Sequence, residues 1–87
     1  MIFEVRRFPN GELRFADGIV EVSGPEPTRV PVRDVTAIEV GDAKKGRVAV
    51  KLKYNAGISH NTEKFLIEED QLVALHALID AVNAEHG

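Results

Sequence analysis

The chain has 87 residues, a formal net charge of −3 and no cysteine. This length allows one compact core, so we predict a single domain over residues 1–87. The lack of cysteine excludes disulfides, thiolate metal sites and cysteine nucleophiles. The acidic balance disfavours a dominant role in binding nucleic acid or a membrane, with peripheral membrane contact at most. No apolar run is long enough for a signal peptide or a membrane span, and we therefore expect a cytoplasmic protein.

Between residues 2 and 67 the sequence alternates short β-forming runs with turn residues, which predicts a sheet that reverses direction repeatedly. The predicted strands cover residues 2–8, 12–15, 19–22, 28–32, 35–40, 47–54 and 63–67. Proline interrupts the fourth of these, which predicts an edge strand, because proline cannot donate to a strand ladder. Residues 41–46 are predicted to form a polar connection.

The sixth predicted strand has a complete two-residue alternation. Val48, Val50, Leu52 and Tyr54 fall on one face, and the intervening positions carry Arg47, Ala49, Lys51 and Lys53. Such alternation is typical of a strand with one face in the core and one face in water.

The apolar period changes from two to about 3.6 after Glu68. Leucine, isoleucine and valine side chains then fall on one side of a helix, at Leu72, Leu75, Leu78, Ile79 and Val82. Acidic residues 68–70 precede this run and favour the positive end of a helix dipole. The pattern predicts one amphipathic helix over about residues 69–85 that packs on the sheet.

These elements predict an α+β, mainly β fold of about seven short antiparallel strands capped by one C-terminal helix. The order resembles the pleckstrin-homology-like (PH-like) barrel, and the resemblance covers nearly the whole chain. Core and turn positions similar to those of bacterial, actinobacterial-type PH-like domains of unknown function are Val30-Pro31-Val32, Val35, Ile38, Gly46-Arg47-Val48, Val50 and Phe65. The resemblance implies an architecture and carries over no catalytic residue.

A second stripe of small apolar residues occupies the helix on the side predicted to face away from the core. Its members are Val73, Ala74, Ala77, Ala81 and Ala84. Alanine is the best helix former and is common on exposed helices, which explains the stripe without a function. Alternatively, small residues let another backbone approach closely, and a small domain gains from further burial. The second explanation predicts a protein interface, including a homo-oligomer formed through this helix.

Two basic regions are candidates for an anionic ligand, either a phospholipid headgroup or nucleic acid. They comprise Arg6, Arg7 and Arg14 in the first hairpin, and Lys44, Lys45 and Arg47 near the fifth connection. Some PH domains bind phosphoinositides through a basic first hairpin, but the tip here, residues 9–12, has no basic cluster. The alternative is an ordinary solvated polar face. Anion binding requires that the two regions share one surface.

The remaining polar residues do not predict catalysis. His60, His76 and His86 lack the spacing of metal ligands, and Ser59-His60 lacks an orienting third group. No glycine pattern matches a phosphate-binding loop. We therefore expect no enzyme activity, metal or cofactor. We predict a binding module that contacts protein, either a partner or itself, through the helix or through the exposed strand edge at residues 28–32.

Overall fold

The computed structural model describes residues 1–86 of the chain, and Gly87 lies outside the described residues. It contains seven antiparallel strands followed by a C-terminal helix, as predicted. The strands are β1 (Phe3–Arg6), β2 (Glu12–Ala16), β3 (Ile19–Val22), β4 (Thr28–Pro31), β5 (Val35–Lys44), β6 (Arg47–Ala56) and β7 (Ser59–Glu68). The helix α1 covers Leu72–His86, and 3-10 turns cover Val32–Asp34 and Glu69–Gln71.

The strands form two sheets, in the order β1-β2-β3-β4 and β5-β6-β7. Within residues 1–86 a single β-bridge joins them, in which the Phe8 N–H donates to the Leu66 carbonyl at 2.7 Å. The predicted barrel is therefore not closed. β4 ends at Pro31, which has no N–H to donate, and the following 3-10 turn takes the chain into the second sheet. The prediction that β4 is an edge strand is confirmed.

The second sheet consists of two long hairpins, so the predicted polar connection at residues 41–46 is wrong. β5 continues to Lys44 and reverses at Lys45-Gly46, where both residues have positive φ angles of 54° and 76°. A bulge at residues 41–42 absorbs the register shift opposite Ala49. A Cβ at Gly41 would lie 3.3 Å from the Ala49 carbonyl oxygen, which explains a glycine in this polar stretch.

The core lies between the two sheets and α1. Leu75, Leu78 and Val82 of the helix are buried, with Leu72 and Ile79 partly buried beside them, which confirms the predicted helical core face. The same core contains buried side chains from all seven strands, namely Val5, Leu13, Phe15, Val20, Val22, Val30, Val35, Val48, Val50, Leu52, Phe65 and Ile67. Every inward position of β6 up to Leu52 is fully buried, as its alternation predicted.

The end of the first hairpin is fixed by hydrogen bonds to Ser23. The Glu12 N–H donates to the Ser23 hydroxyl at 2.7 Å, and the Ser23 N–H donates to the Glu12 carbonyl at 3.0 Å. Gly11 sits beside this pair with a φ of 100°, and a Cβ there would lie 2.8 Å from the Ser23 hydroxyl. The backbone at Gly11 thus requires the absence of a side chain.

We expect Gly11→Ala to lower the free energy of unfolding by about 1–2 kcal/mol, because alanine is strained at positive φ and displaces the Ser23 hydroxyl. Chemical denaturation measures this change. Gly57→Ala is the matched control, since Gly57 also has positive φ (63°) but open space around it. Equal losses in the two variants would show that the contact with Ser23 has no energetic role.

Candidate functional site

Arg6 and Arg7 of the first predicted basic region lie near Arg47 of the second, at one end of the domain. The Arg47 guanidinium lies over the Phe8 ring, 3.6 Å from its centre. Phe8 directly follows Arg7 in the sequence. The Arg6 N–H donates to the Gln71 side chain at 3.0 Å, which places the end of β1 against the 3-10 turn before α1. This end also carries an open cleft of about 360 Å³. Its lining residues are Arg6, Arg7, Phe8, Pro9, Glu68, Asp70 and Gln71.

Carboxylates accompany the basic side chains at this end. Glu68 lies 3.8 Å from the Arg47 side chain, and the Glu69 N–H donates to the Gly46 carbonyl next to Lys45. Lys44 and Lys45 are exposed. The mixture of both signs weakens the field that an anionic ligand would experience.

Arg7 has contacts that hold the fold together. Its guanidinium donates to the Ser23 carbonyl and lies 5.3 Å from the centre of the Phe65 ring. Its Nε is buried and forms no hydrogen bond within residues 1–86. These contacts join the end of β1 to the β3–β4 loop and to β7. Arg7 is therefore oriented toward the protein, which leaves it poorly placed to bind a ligand.

Arg14 lies apart from the other predicted basic residues, on the outer face of the four-stranded sheet. The strand register places it between Glu4 and Glu21. Glu21 in turn forms an ion pair with Arg29 on β4, with 3.3 Å between the charged groups. The outer row therefore alternates in charge across all four strands and neutralises itself. A hydrogen bond with Glu4 raises the pKa of Glu12, which lies diagonally across from it, and slight burial and the Glu4 charge act in the same direction.

The outward side of α1 carries part of the predicted small-residue stripe. Val73 is 82% exposed, and Ala77 and Ala84 are also exposed. We call these three residues the helix outer face. Ala74 and Ala81 are half-buried and pack against the core, so their assignment to the outward stripe is wrong. At 100° per residue they fall at the flanks of the buried face, where the sheet already covers them.

The outer face of the three-stranded sheet carries an apolar row between basic residues. Ala49 is directly opposite Leu66, which is 41% exposed, and Phe8 pairs with Leu66 on the far side. Gly41 adjoins Ala49 on the other side, with 3.5 Å between the Ala49 Cβ and an ideal Cβ position. We call these four residues the sheet trough.

Lysines flank the sheet trough. Lys51 and Lys64 are directly opposite each other, and among residues 1–86 neither forms an ion pair. Lys53, in contrast, is held by Glu39 at 3.1 Å. Shallow cavities of about 230 and 140 Å³ lie over this region and share Ala49 and Lys51 in their walls.

The histidines are distributed as isolated residues. His60 donates from Nδ1 to the Asn55 side-chain oxygen at 2.6 Å, and His76 and His86 are exposed on α1. Within residues 1–86 no group of three histidine, aspartate or glutamate side chains comes together as a metal-binding set. In the same part of the chain, no helix has the length and apolarity needed to cross a membrane.

Sequence reasoning did not predict the sheet trough. The alternating lysines of β6 were visible, but the pairing of Lys51 with Lys64 and of Ala49 with Leu66 depends on the β6–β7 register. The sequence did not predict that register, because the predicted seventh strand began at residue 63, four positions after Ser59.

No protein-family model matches the chain, and no curated protein matches it significantly.

Proposed function

We propose that this domain is a non-enzymatic interaction module that binds protein, and that a second copy of the chain docks on the helix outer face. The observation that carries the proposal is the 82% exposure of Val73 on a helix whose other large aliphatic side chains are buried or half-buried. Ala77, one turn on, continues this surface with a side chain small enough for close approach by another backbone. The PH-like relationship is part of this proposal and supplies only the architecture.

The chemistry of the helix outer face supports a second copy as the occupant. A two-fold contact brings the same patch from each copy together, so a small apolar patch meets a surface of matching shape and polarity. A domain of this size gains proportionally more stability from extra apolar burial than a larger one. The titratable residues of α1, His76, Asp80, Glu85 and His86, are all exposed. Asp80 lies on the same face as the patch, one turn from both Ala77 and Ala84, so a two-fold contact has to leave its carboxylate in water.

Light scattering over a dilution series tests this proposal. We expect the wild type to exceed the 9.6 kDa mass of one chain at high concentration, and Ala77→Glu to remain at that mass, because dimerisation would bury two added carboxylates. Asn83→Glu is the matched control, since Asn83 is exposed on the same helix but outside the patch. A wild-type mass of one chain at every concentration contradicts the proposal, as does equal disruption by the control.

A second candidate function is binding of an anionic ligand at the basic end. It is favoured by the contact between Arg47 and Phe8, which brings Arg47 close to the end of β1, where Arg6 and Arg7 lie. It ranks below protein binding because Arg7 is occupied within the fold, Arg14 lies on another surface, and Glu68 pairs with Arg47.

A further inference from the structure

We propose that the sheet trough is a second docking surface, and that it binds an acidic segment of a partner protein that carries apolar side chains. The site is the outer face of β5–β7, where Gly41, Ala49, Leu66 and Phe8 form an apolar row. Lys51 and Lys64 border this row on one side, and Arg47 and Glu68 border it on the other. This inference rests on the proposed function only in assigning protein binding to the domain. It uses a different surface from the helix outer face and a partner of different chemistry.

The strand register provides the first argument. Lys51 and Lys64 face each other across β6 and β7, an arrangement in which like charges destabilise the sheet. Glu39 is opposite Lys51 on β5, but its carboxylate pairs with Lys53 at 3.1 Å. The four-stranded sheet avoids this arrangement, since Glu4, Arg14, Glu21 and Arg29 alternate in sign across it. The three-stranded sheet repeats it at its end, where Lys44 lies opposite Arg47, and there Glu68 pairs with Arg47. A carboxylate of a bound partner placed between the two ammonium groups would neutralise both and remove the repulsion.

The composition of the floor provides the second argument. Leu66 exposes 41% of its surface beside the two lysines, and the larger of the two cavities is lined mainly by aliphatic and aromatic residues. The exposed Leu66 side chain is unfavourable in water, because covering it with another apolar group lowers the free energy. An occupant that fits must therefore carry both carboxylates and apolar side chains, which is the composition of an acidic, amphipathic protein segment.

The distribution of charge provides the third argument. The chain carries a net charge of −3, yet the strand register places five cations on the outer face of β5–β7 against two glutamates, namely Lys44, Arg47, Lys51, Lys53 and Lys64 against Glu39 and Glu68. The basic residues are thus concentrated on this face of an acidic protein. Complementary charge of this kind sets the choice of partner and the rate of association. Nucleic acid is disfavoured as the occupant because these two carboxylates interrupt the row of cations and the trough has one partly buried aromatic ring, Phe8.

Lys64→Glu separates this proposal from a purely structural role for the lysine. The probe is a labelled glutamate-rich synthetic peptide containing a pair of leucines, titrated into the intact domain at low salt. We expect Lys64→Glu to weaken peptide binding about tenfold while the Tm rises by about 1–5 °C, because the new glutamate pairs with Lys51. Loss of binding combined with gain of stability excludes misfolding as the cause.

Matched controls define the site. Arg33→Glu makes the same charge change at an exposed residue of the 3-10 turn before β5 and should change affinity less than about twofold. Leu66→Gln should weaken binding of the same peptide, and replacing the peptide leucines with serine should weaken binding to the wild type. Peptide-induced amide shifts should centre on Ala49, Lys51 and Leu66.

Several results would overturn the proposal. These are failure of the wild type to bind the peptide, equal losses in Lys64→Glu and Arg33→Glu, shifts centred on another surface, or tighter binding of a single-stranded oligonucleotide than of the peptide under the same conditions. The proposed helix contact is tested separately, because Ala77→Glu should bind the peptide normally and Lys64→Glu should self-associate normally. Failure of one proposal is therefore distinguishable from failure of the other.

Discussion

Leu75→Ala is expected to lower the free energy of unfolding by about 2–5 kcal/mol, the cost of removing a buried leucine side chain and leaving a cavity. Leu75 is fully buried near the start of α1 and belongs to the core that both sheets and the helix share. A domain of this size has a total stability of only about 5–15 kcal/mol, so this loss removes a large fraction of it. Urea denaturation followed by circular dichroism measures the change.

Val73→Ala provides the control for the leucine variant. It also shortens an aliphatic side chain of α1, but Val73 is 82% exposed, and alanine is the better helix former. We expect a change within about 0.5 kcal/mol of zero. If Leu75→Ala and Val73→Ala had similar effects, the helix would not pack on the sheets through the face described above.

Arg7→Ala is expected to lower the free energy of unfolding by about 2–3 kcal/mol. The substitution removes a charge-assisted hydrogen bond to the Ser23 carbonyl and the contact between the guanidinium and the Phe65 ring. Lysine should not restore the loss, because it lacks the planar group that makes both contacts at once. Thermal and chemical denaturation of the three proteins measure these differences.

Arg6→Ala is the matched control for Arg7, since the preceding arginine is exposed and its side chain forms no ion pair within residues 1–86. We expect it to be within about 0.5 kcal/mol of the wild type. A stable Arg7→Ala protein would contradict the structural role of Arg7 and would return this arginine to the candidates for anion binding.

The fold was largely predictable because its elements have distinct periods. The two-residue alternation from Arg47 to Tyr54 and the change of period after Glu68 correctly indicated a β-rich chain ending in one helix. Closure was not predictable, because it depends on whether β4 and β5 pair, and a single proline at the end of β4 does not determine this. The length of β5 was underestimated because a bulge at Gly41 looks like a loop in sequence.

The candidate surfaces were only partly predictable. Helical spacing identified Val73, Ala77 and Ala84 as outward residues, but it could not tell that the sheet is broad enough to cover Ala74 and Ala81 at the flanks. The sheet trough depends on cross-strand neighbours, and these are fixed by register, which a slip of one residue changes completely. Sequence therefore reveals helical surfaces more readily than sheet surfaces in this chain.

The measurement that tests the central claim most directly is the amide spectrum of the wild-type domain recorded at decreasing concentration. If a second copy docks on the helix outer face, the amide signals of Val73, Ala77 and Ala84 should shift with dilution, and those of the fully buried Leu13 and Leu52 should remain fixed. Helix signals that do not change at any concentration, in a protein that scatters light as one chain, would contradict self-association through α1.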